Sequence, residues 1–186
     1  MLNIFSQNLF LGVLNILNFV FLAISFYKPK PVLNLIPVIL FAALSVIQIK
    51  SVNFREVYRF SASELDLQIQ RMNLYPPKLA RLGYILERKK ETQIIKRIEK
   101  NFFDTIDFNS YFPNYFSYFE FPFILYGIYL FIKKKVAIQI GLFTYSFLLI
   151  TIFGVHGKIG PFILFPFINL FIFIGFVKIF RFDRKT

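Results

Sequence analysis

Acidic side chains near the middle of the chain are the residues best suited to chemistry. In the segment "FFDTIDFN", Asp104 and Asp107 are three residues apart, and Asn109 follows two residues later. Residues three apart share one face of a helix, and carboxylate and amide oxygens are the hard ligands that Mg²⁺ accepts. These residues are therefore candidate metal ligands, and an ion held by them could bind a lipid pyrophosphate. The commoner alternative is a solvated pair or a helix cap.

Glu120 is a second candidate, because it lies inside the aromatic stretch "SYFPNYFSYFEFPF" at 110–123. An ionisable group at the centre of a bilayer costs about 2.5–3.5 kcal/mol by insertion measurements, so such groups are often functional. Glu120 falls instead at the start of an apolar run, near Tyr115 and Tyr118, where water can still reach it. Helix N-termini also favour acids through the backbone dipole. We expect an interfacial cap, with a catalytic role as the alternative.

The sequence lacks the residues that several other classes of catalytic site require. The chain has one His and no Cys, so zinc fingers, His-Glu-x-x-His sites and thiol nucleophiles are excluded. It contains neither a Walker loop nor a dinucleotide fingerprint. In "GVHGKIG", His156 and Lys158 could touch a phosphate, but a tight connector is the better interpretation. We expect no cofactor.

The elements that carry these residues are predicted to be membrane helices. Hydrophobic residues make up 56% of the 186 residues, and the mean hydropathy is +0.59; soluble domains are roughly 45–50% apolar. A span needs roughly 20 apolar residues to cross about 30 Å of hydrocarbon. Ala23 and Ser25 have the spacing of a signal-peptide cleavage site, but no basic residue precedes the run, so a retained helix is expected. The five predicted spans are Leu9–Tyr27, Val32–Ile49, a third from about Tyr115 to Ile132, Val136–Gly154 and Pro161–Val177.

The position of the third span accounts for the many aromatic residues in this stretch. The apolar run after Glu120 is too short to cross, because its length to Ile132 as a helix is only about 18 Å. A start near Tyr115 places Tyr111, Tyr115 and Tyr118 at a membrane–water interface, where tyrosine rings are favoured. The sequence therefore predicts an interfacial aromatic belt. The alternative is a groove for an acyl or prenyl chain.

A central segment, 51–114, separates an N-terminal hairpin, 1–50, from a C-terminal three-helix region, 115–186. Ser61 followed by Glu64 reads as a capping box. Apolar residues then recur at helical spacing, with basic residues between them. Such helices lie in the headgroup layer or pack on a partner, and the alternative is a soluble hairpin that buries its own apolar stripe. The basic residues expected to contact lipid headgroups are Arg88, Lys89, Lys90, Lys96 and Arg97.

The charge distribution indicates a membrane partner rather than nucleic acid. The net charge is +12, but the basic residues lie beside the apolar runs. Nine of them, in the short segments around Lys28, Lys134 and the C-terminal tail, fall on one side if the five spans alternate. We therefore expect a multi-pass protein of a bacterial plasma membrane with its N-terminus and central segment outside and its C-terminus inside.

Three classes of function remain, and the first is favoured. It is a non-enzymatic accessory or assembly component of a membrane complex, with a protein partner. The second is a partial or divergent transferase of lipid-linked sugars, in which Asp104, Asp107 and Glu120 would act. The third is a small transporter subunit, which the uncharged span interiors disfavour. Polar residues within the spans are expected to form interhelical hydrogen bonds.

Overall fold

The structure is a computed structural model that describes residues 9–51, 62–107, 109, 111–112, 115–154 and 161–182, with the backbone alone for Lys90, Arg181 and Phe182. Every regular element within these residues is helical, which confirms the all-α prediction. Three short 3₁₀ turns accompany the α-helices, at Pro77–Leu79, Tyr118–Glu120 and Phe162–Leu164. The α-helices are α1 (Leu9–Tyr27), α2 (Pro31–Ser51), α3 (Ala62–Asn73), α4 (Ala80–Arg88), α5 (Lys90–Ile106), α6 (Phe121–Lys134), α7 (Ala137–Phe153) and α8 (Phe165–Phe182).

Three stretches are long and apolar enough to cross a bilayer, against the five that the sequence predicts. They are α1, α2 and Phe162–Phe180. Helix α6 has only 14 residues because the chain before Phe121 is a 3₁₀ turn rather than the start of the helix. Helix α7 has 17 residues and ends at Gly154, whose φ of 89° favours glycine. Both are shorter than the roughly 20 residues that a span needs.

Two glycines bring α6 and α8 into backbone contact. A Cβ at Gly127 would collide with the carbonyl of Phe171, and a Cβ at Gly175 would collide with the carbonyl of Phe123. Residue numbers rise along one helix as they fall along the other, so α6 and α8 are antiparallel. Small residues permit such close approach between membrane helices.

The antiparallel pair corrects the predicted order of the spans. In a chain of five alternating spans, the third and fifth would run in the same direction. Here α8 carries Lys178 towards the end of the bundle at which α6 begins, whereas Lys134 lies at the other end. The C-terminal end of α8 therefore does not lie with Lys28 and Lys134, and the charge count behind the predicted orientation is wrong in this respect.

Polar side chains join the ends of α1, α2, α6 and α7. Ser25 on α1 donates a hydrogen bond to Asn34 Oδ1 on α2. Gln139 Nε2 on α7 donates to Leu22 O and to Ser25 Oγ, each at 3.1 Å. Lys134 donates to Phe26 O, and its Nζ lies 4.2 Å from the centre of the Phe26 ring. The prediction of interhelical hydrogen bonds therefore holds for Asn34 and Gln139.

Other polar residues of the apolar helices bond within their own helix. Asn15, Ser45, Ser146 and Asn169 each donate to the carbonyl four residues earlier. Such bonds satisfy the donor in an apolar environment without requiring a second helix. Interhelical bonding was expected for these residues too, but the hydrogen bonds that they donate within the described part of the chain are local.

Aromatic rings form the centre of the bundle. Phe167 is fully buried, and its ring centre lies 5.0 Å from that of Phe41 and 5.3 Å from that of Phe143. Phe131 and Phe171 complete this group, with centres 5.2 Å apart. The phenylalanine excess of the sequence is thus used in part for packing between α2, α6, α7 and α8.

The aromatic stretch before α6 packs on the protein rather than forming a simple belt. Phe112 and Phe116 are buried, and Phe116 meets Phe165 edge-on at 5.6 Å. Tyr115 is half-buried against the same ring, at 5.0 Å. Only Tyr118, among the three tyrosines predicted to face the interface, is well exposed. The stretch covers the start of α8, which the sequence analysis did not predict.

Candidate functional site

The three described helices of the central segment, α3, α4 and α5, are linked by a buried carboxylate. Glu87 on α4 has only 4% of its surface exposed. Its Oε2 accepts a hydrogen bond from Arg71 Nε on α3 at 3.0 Å, and its Oε1 accepts one from Lys96 Nζ on α5 at 3.0 Å. One carboxylate therefore links three helices, each through a charge-assisted bond, the stronger class of hydrogen bond.

Two further polar contacts fix the same three helices. Gln68 on α3, also buried, donates from Nε2 to the backbone oxygen of Glu87 at 2.6 Å. Arg97 on α5 donates to both carboxylate oxygens of Glu64 on α3, with its Nη2 lying 2.8 Å from Oε2. We call Gln68, Arg71, Glu87 and Lys96 the Glu87 cluster.

Gly83 determines how the link between α3 and α4 packs. A Cβ at this position would lie 2.4 Å from two ring atoms of Tyr75, so glycine permits the close approach of that side chain to α4. Gly83 precedes Glu87 by one helical turn, so the same face of α4 positions the tyrosine and the carboxylate. Tyr75 in turn borders the Glu87 cluster.

The aliphatic side chains of these helices point outward. Leu74 is 81% exposed and Ile95 is 64% exposed, whereas the buried side chains of α3 and α4 are Gln68 and Glu87. Water-soluble domains show the opposite arrangement, because burying apolar surface drives their folding. We call the exposed aliphatic residues the outer apolar shell. They are Leu65, Leu67, Ile69, Leu74, Leu79, Leu82, Ile85, Leu86, Ile94 and Ile95.

The outer apolar shell overturns one alternative for the central segment. A soluble hairpin would bury its own apolar stripe, but Leu82 and Leu86 are 52% and 43% exposed. The stripe is present at the predicted spacing and does not form a core between the helices. Polar contacts take that place instead.

The C-terminal half of α5 joins this segment to the apolar helices. Phe102 meets Phe147 of α7 edge-on, with ring centres 5.6 Å apart. Asn101 is buried and donates from Nδ2 to Thr151 O at 3.2 Å. Helix α5 therefore runs beside the apolar surface of α7 and does not stand apart from the bundle.

Protonation of Glu87 is expected to weaken the central segment. Desolvation opposes the charged form, but the hydrogen bonds and charges of Lys96 and Arg71 outweigh it, so the pKa of Glu87 lies below the ordinary 4.5. The stabilisation is complete above about 4.5, the unfolded value, and is lost as the pH falls through the lower folded pKa. The protection factors of amide hydrogen exchange across 62–106, which correct for the intrinsic pH dependence of exchange, should fall in that acid range. Glu87→Gln should remove the part of the pH dependence due to this group; an unchanged acid profile would contradict this assignment.

The candidate metal ligands serve local roles where the structure describes them. Asp107 follows the last turn of α5, and its Oδ1 accepts from both the backbone N–H and the side-chain amide of Asn109, each at 3.0 Å. Asp104 is half-buried on the same helix. Across the described ranges, no group of three or more His, Asp or Glu side chains could hold a metal ion.

Glu120 forms a capping box with Ser117. Its Oε2 accepts from the Ser117 backbone N–H at 3.1 Å, and Ser117 Oγ accepts from the backbone N–H of Phe119 at 3.4 Å. This satisfies backbone donors ahead of α6 that would otherwise lack a partner. The corresponding predicted box at Ser61, and the connector with His156 and Lys158, lie outside the described residues.

The residues predicted to contact headgroups divide into two groups. Arg88 and Lys89 are exposed, with the Arg88 guanidinium 5.1 Å from the Tyr84 ring centre. Lys96 and Arg97 form the ion pairs described above and are less exposed. The side chain of Lys90 is outside the described part of the chain.

Tyr111 also differs from its predicted place at the interface. It is buried, and its hydroxyl donates to Thr105 O at 2.9 Å. Burial raises the pKa of Tyr111, since the phenolate would lose its hydration. The hydrogen bond from Tyr111 links the aromatic stretch to α5.

Sequence reasoning missed Glu87, Gln68 and Arg71. The available signal was the position of Glu87 on α4, off the face that Leu82 and Leu86 share. A lone acid beside an apolar stripe and surrounded by basic residues could have been recognised as an ion-pair centre. The pairing itself depends on three helices folding together.

Comparison with known proteins identifies no relative of this chain. No family model matches the chain, and no characterised protein or solved structure is significantly similar to it.

Proposed function

We propose that this chain is a non-enzymatic, multi-pass membrane protein that serves as an accessory or assembly component of a membrane complex. Its five apolar helices lie in the bilayer, although not as five alternating spans. Helix α7, about 25 Å long by helical rise, is close to the hydrocarbon thickness. The central segment rests on the bilayer surface through its outer apolar shell.

The observation that carries this proposal is the inverted polarity of the central segment. Aliphatic side chains that face outward need an apolar contact, and the apolar helices on either side hold the segment beside lipid. Exposed Arg88 and Lys89 complement anionic headgroups, which attract basic residues within about a Debye length. Contact between α5 and α7 supports the same placement, since α7 is apolar along its length.

The candidate acids favour a role without catalysis. Asp107 and Glu120 each accept backbone hydrogen bonds at a helix end, as ordinary caps do. A transferase of lipid-linked sugars would need acids free to bind an ion or to activate a hydroxyl group.

Substituting the acids tests this function. We expect Asp104→Ala and Asp107→Ala to leave the chain in its membrane complex at near wild-type yield. Glu120→Ala should cost about 0.5–2 kcal/mol of stability, as the loss of a cap does. Native electrophoresis after mild solubilisation measures the assembly, and sugar transfer from a lipid-linked donor is assayed on the same membranes. Transfer that depends on the wild-type chain and disappears in a folded, assembled Asp104→Ala variant would overturn the proposal.

A further inference from the structure

A shallow pocket of about 300 Å³, open along most of its surface, lies beside the Glu87 cluster. Arg71, Glu87 and Lys96 line one part of it, and the link Leu74–Pro76 lines the rest. Ligand pockets in proteins begin at about this volume, so the pocket suits a small group rather than a whole lipid. Its walls combine cations, one tyrosine and apolar surface.

The charges in this pocket do not balance. Two cations face one carboxylate, which leaves one net positive charge. Both cations are about one-third exposed, whereas the carboxylate is almost fully buried. The positive groups therefore face the opening, and Glu87 lies behind them.

Most of the hydrogen-bond donors of these cations remain available. Within the described residues, Arg71 and Lys96 each donate one side-chain hydrogen bond, and both go to Glu87. A guanidinium carries five N–H donors and an ammonium carries three. Glu87 thus holds the cations in place while their other donors can serve a ligand.

We propose that this pocket binds a singly charged phosphodiester, with Arg71 and Lys96 as the binding residues and Glu87 as a positioning residue. Planar guanidinium groups bind phosphate oxygens in pairs, and lysine adds a point charge. One net positive charge matches one negative diester. A lipid headgroup is the source nearest to the pocket if the segment rests on the bilayer as proposed above, and a free phosphate compound is the other source with the same chemistry.

Binding is measured with the full chain in maltoside micelles, which contain no phosphate. The probe is short-chain phosphatidylglycerol, and binding is followed by native mass spectrometry and calorimetry. Dimethyl phosphate, a water-soluble phosphodiester with one negative charge, is the second arm. Arg71→Gln and Lys96→Gln should each weaken lipid binding by about tenfold or more, the size of one charge-assisted hydrogen bond. Arg88→Gln changes the net charge equally outside the pocket and should stay within twofold.

Glu87→Gln gives a result of opposite sign. It raises the net charge of the pocket, and the glutamine side-chain oxygen can still accept a hydrogen bond from Arg71 or Lys96 and keep that cation in position. The affinity for the anion should therefore rise severalfold even as the folded state loses stability. A variant that merely misfolds cannot bind more tightly. Arg71→Lys keeps the charge and lacks the planar fork, so it should weaken binding with little change in unfolding temperature.

The outcomes separate the possibilities. Equal weakening by Arg88→Gln and Arg71→Gln, or weaker binding by Glu87→Gln, overturns the site. Binding of dimethyl phosphate as tightly as the lipid supports the site and assigns it to free phosphodiesters. Placement of the outer apolar shell is measured separately in phosphatidylcholine vesicles, so failure of the membrane proposal is distinguishable from failure of this one.

Discussion

Gly127→Ala and Gly175→Ala should each destabilise the bundle by about 1–3 kcal/mol, the usual cost of forcing a methyl group into a packed contact. Each new Cβ would meet a carbonyl of the facing backbone, which cannot rotate away as a side chain can. Helices α6 and α8 must therefore separate. The double variant should cost less than the sum, because the first substitution already opens the shared contact.

Gly141→Ala is the matched control on α7. Nothing lies within 4 Å of the position that its Cβ would occupy. Alanine is favoured over glycine inside a helix by about 1 kcal/mol, so this variant should be as stable as the parent or more so. Reversible unfolding in mixed micelles, followed by circular dichroism, compares the variants. Equal stability of Gly127→Ala and Gly141→Ala would contradict the close antiparallel pairing.

Phe167→Ala should cost about 3–5 kcal/mol, the range for removing a fully buried phenylalanine. Its ring contacts those of Phe41, Phe131 and Phe143, so substitution leaves a cavity between four helices. Aromatic pairs add about 0.5–1.5 kcal/mol beyond the area that they bury.

Phe119→Ala provides the comparison for this prediction. Phe119 is 78% exposed, so its removal should change the free energy of unfolding by less than about 0.5 kcal/mol, as surface substitutions usually do. The two variants remove the same atoms from the same residue type. A Phe167→Ala protein as stable as Phe119→Ala would show that the aromatic group is not the core.

Long apolar runs made the helices predictable. Helix α1 has the predicted bounds, and α2 differs by one residue at its start and two at its end, because apolar length and a Lys-Pro-Lys-Pro turn are local features. The start of α6 was misjudged. Its capping box at Ser117 and Glu120 ends the irregular aromatic stretch later than hydrocarbon length alone suggested.

The contacts between helices could not be predicted from apolar length in this way. Gly127 and Gly175 are recognisable as small residues, but their partners lie across a contact between distant segments. Counting apolar runs as alternating spans makes α8 parallel to α6. That count places Lys178 at the same end of the bundle as Lys134, whereas the antiparallel pair places it at the other end. Direction follows from steric fit between two surfaces, which no single segment encodes.

The apolar outer surface of the candidate site was predictable from the sequence, but the ion pairs between its helices were not. The apolar stripe through Leu82 and Leu86 appears in the sequence at helical spacing. Whether this stripe faces the other helices or the outside depends on how the helices pack. Here Arg71 and Lys96 bond to Glu87 between the helices, and the stripe faces outward. A polar interior is the less common arrangement, so the stripe alone left both possibilities open.

Spin labels would show whether the central helices touch lipid. The native chain has no cysteine, so single labels at Leu82→Cys and Ile95→Cys need no background substitutions. Glu99→Cys, an exposed polar position, is the reference. With the protein in vesicles, the first two labels should collide more often with dissolved oxygen than with a water-soluble nickel chelate, and the reference label should show the reverse. Greater nickel access at all three positions would mean that water covers these aliphatic side chains and that the surface placement is wrong.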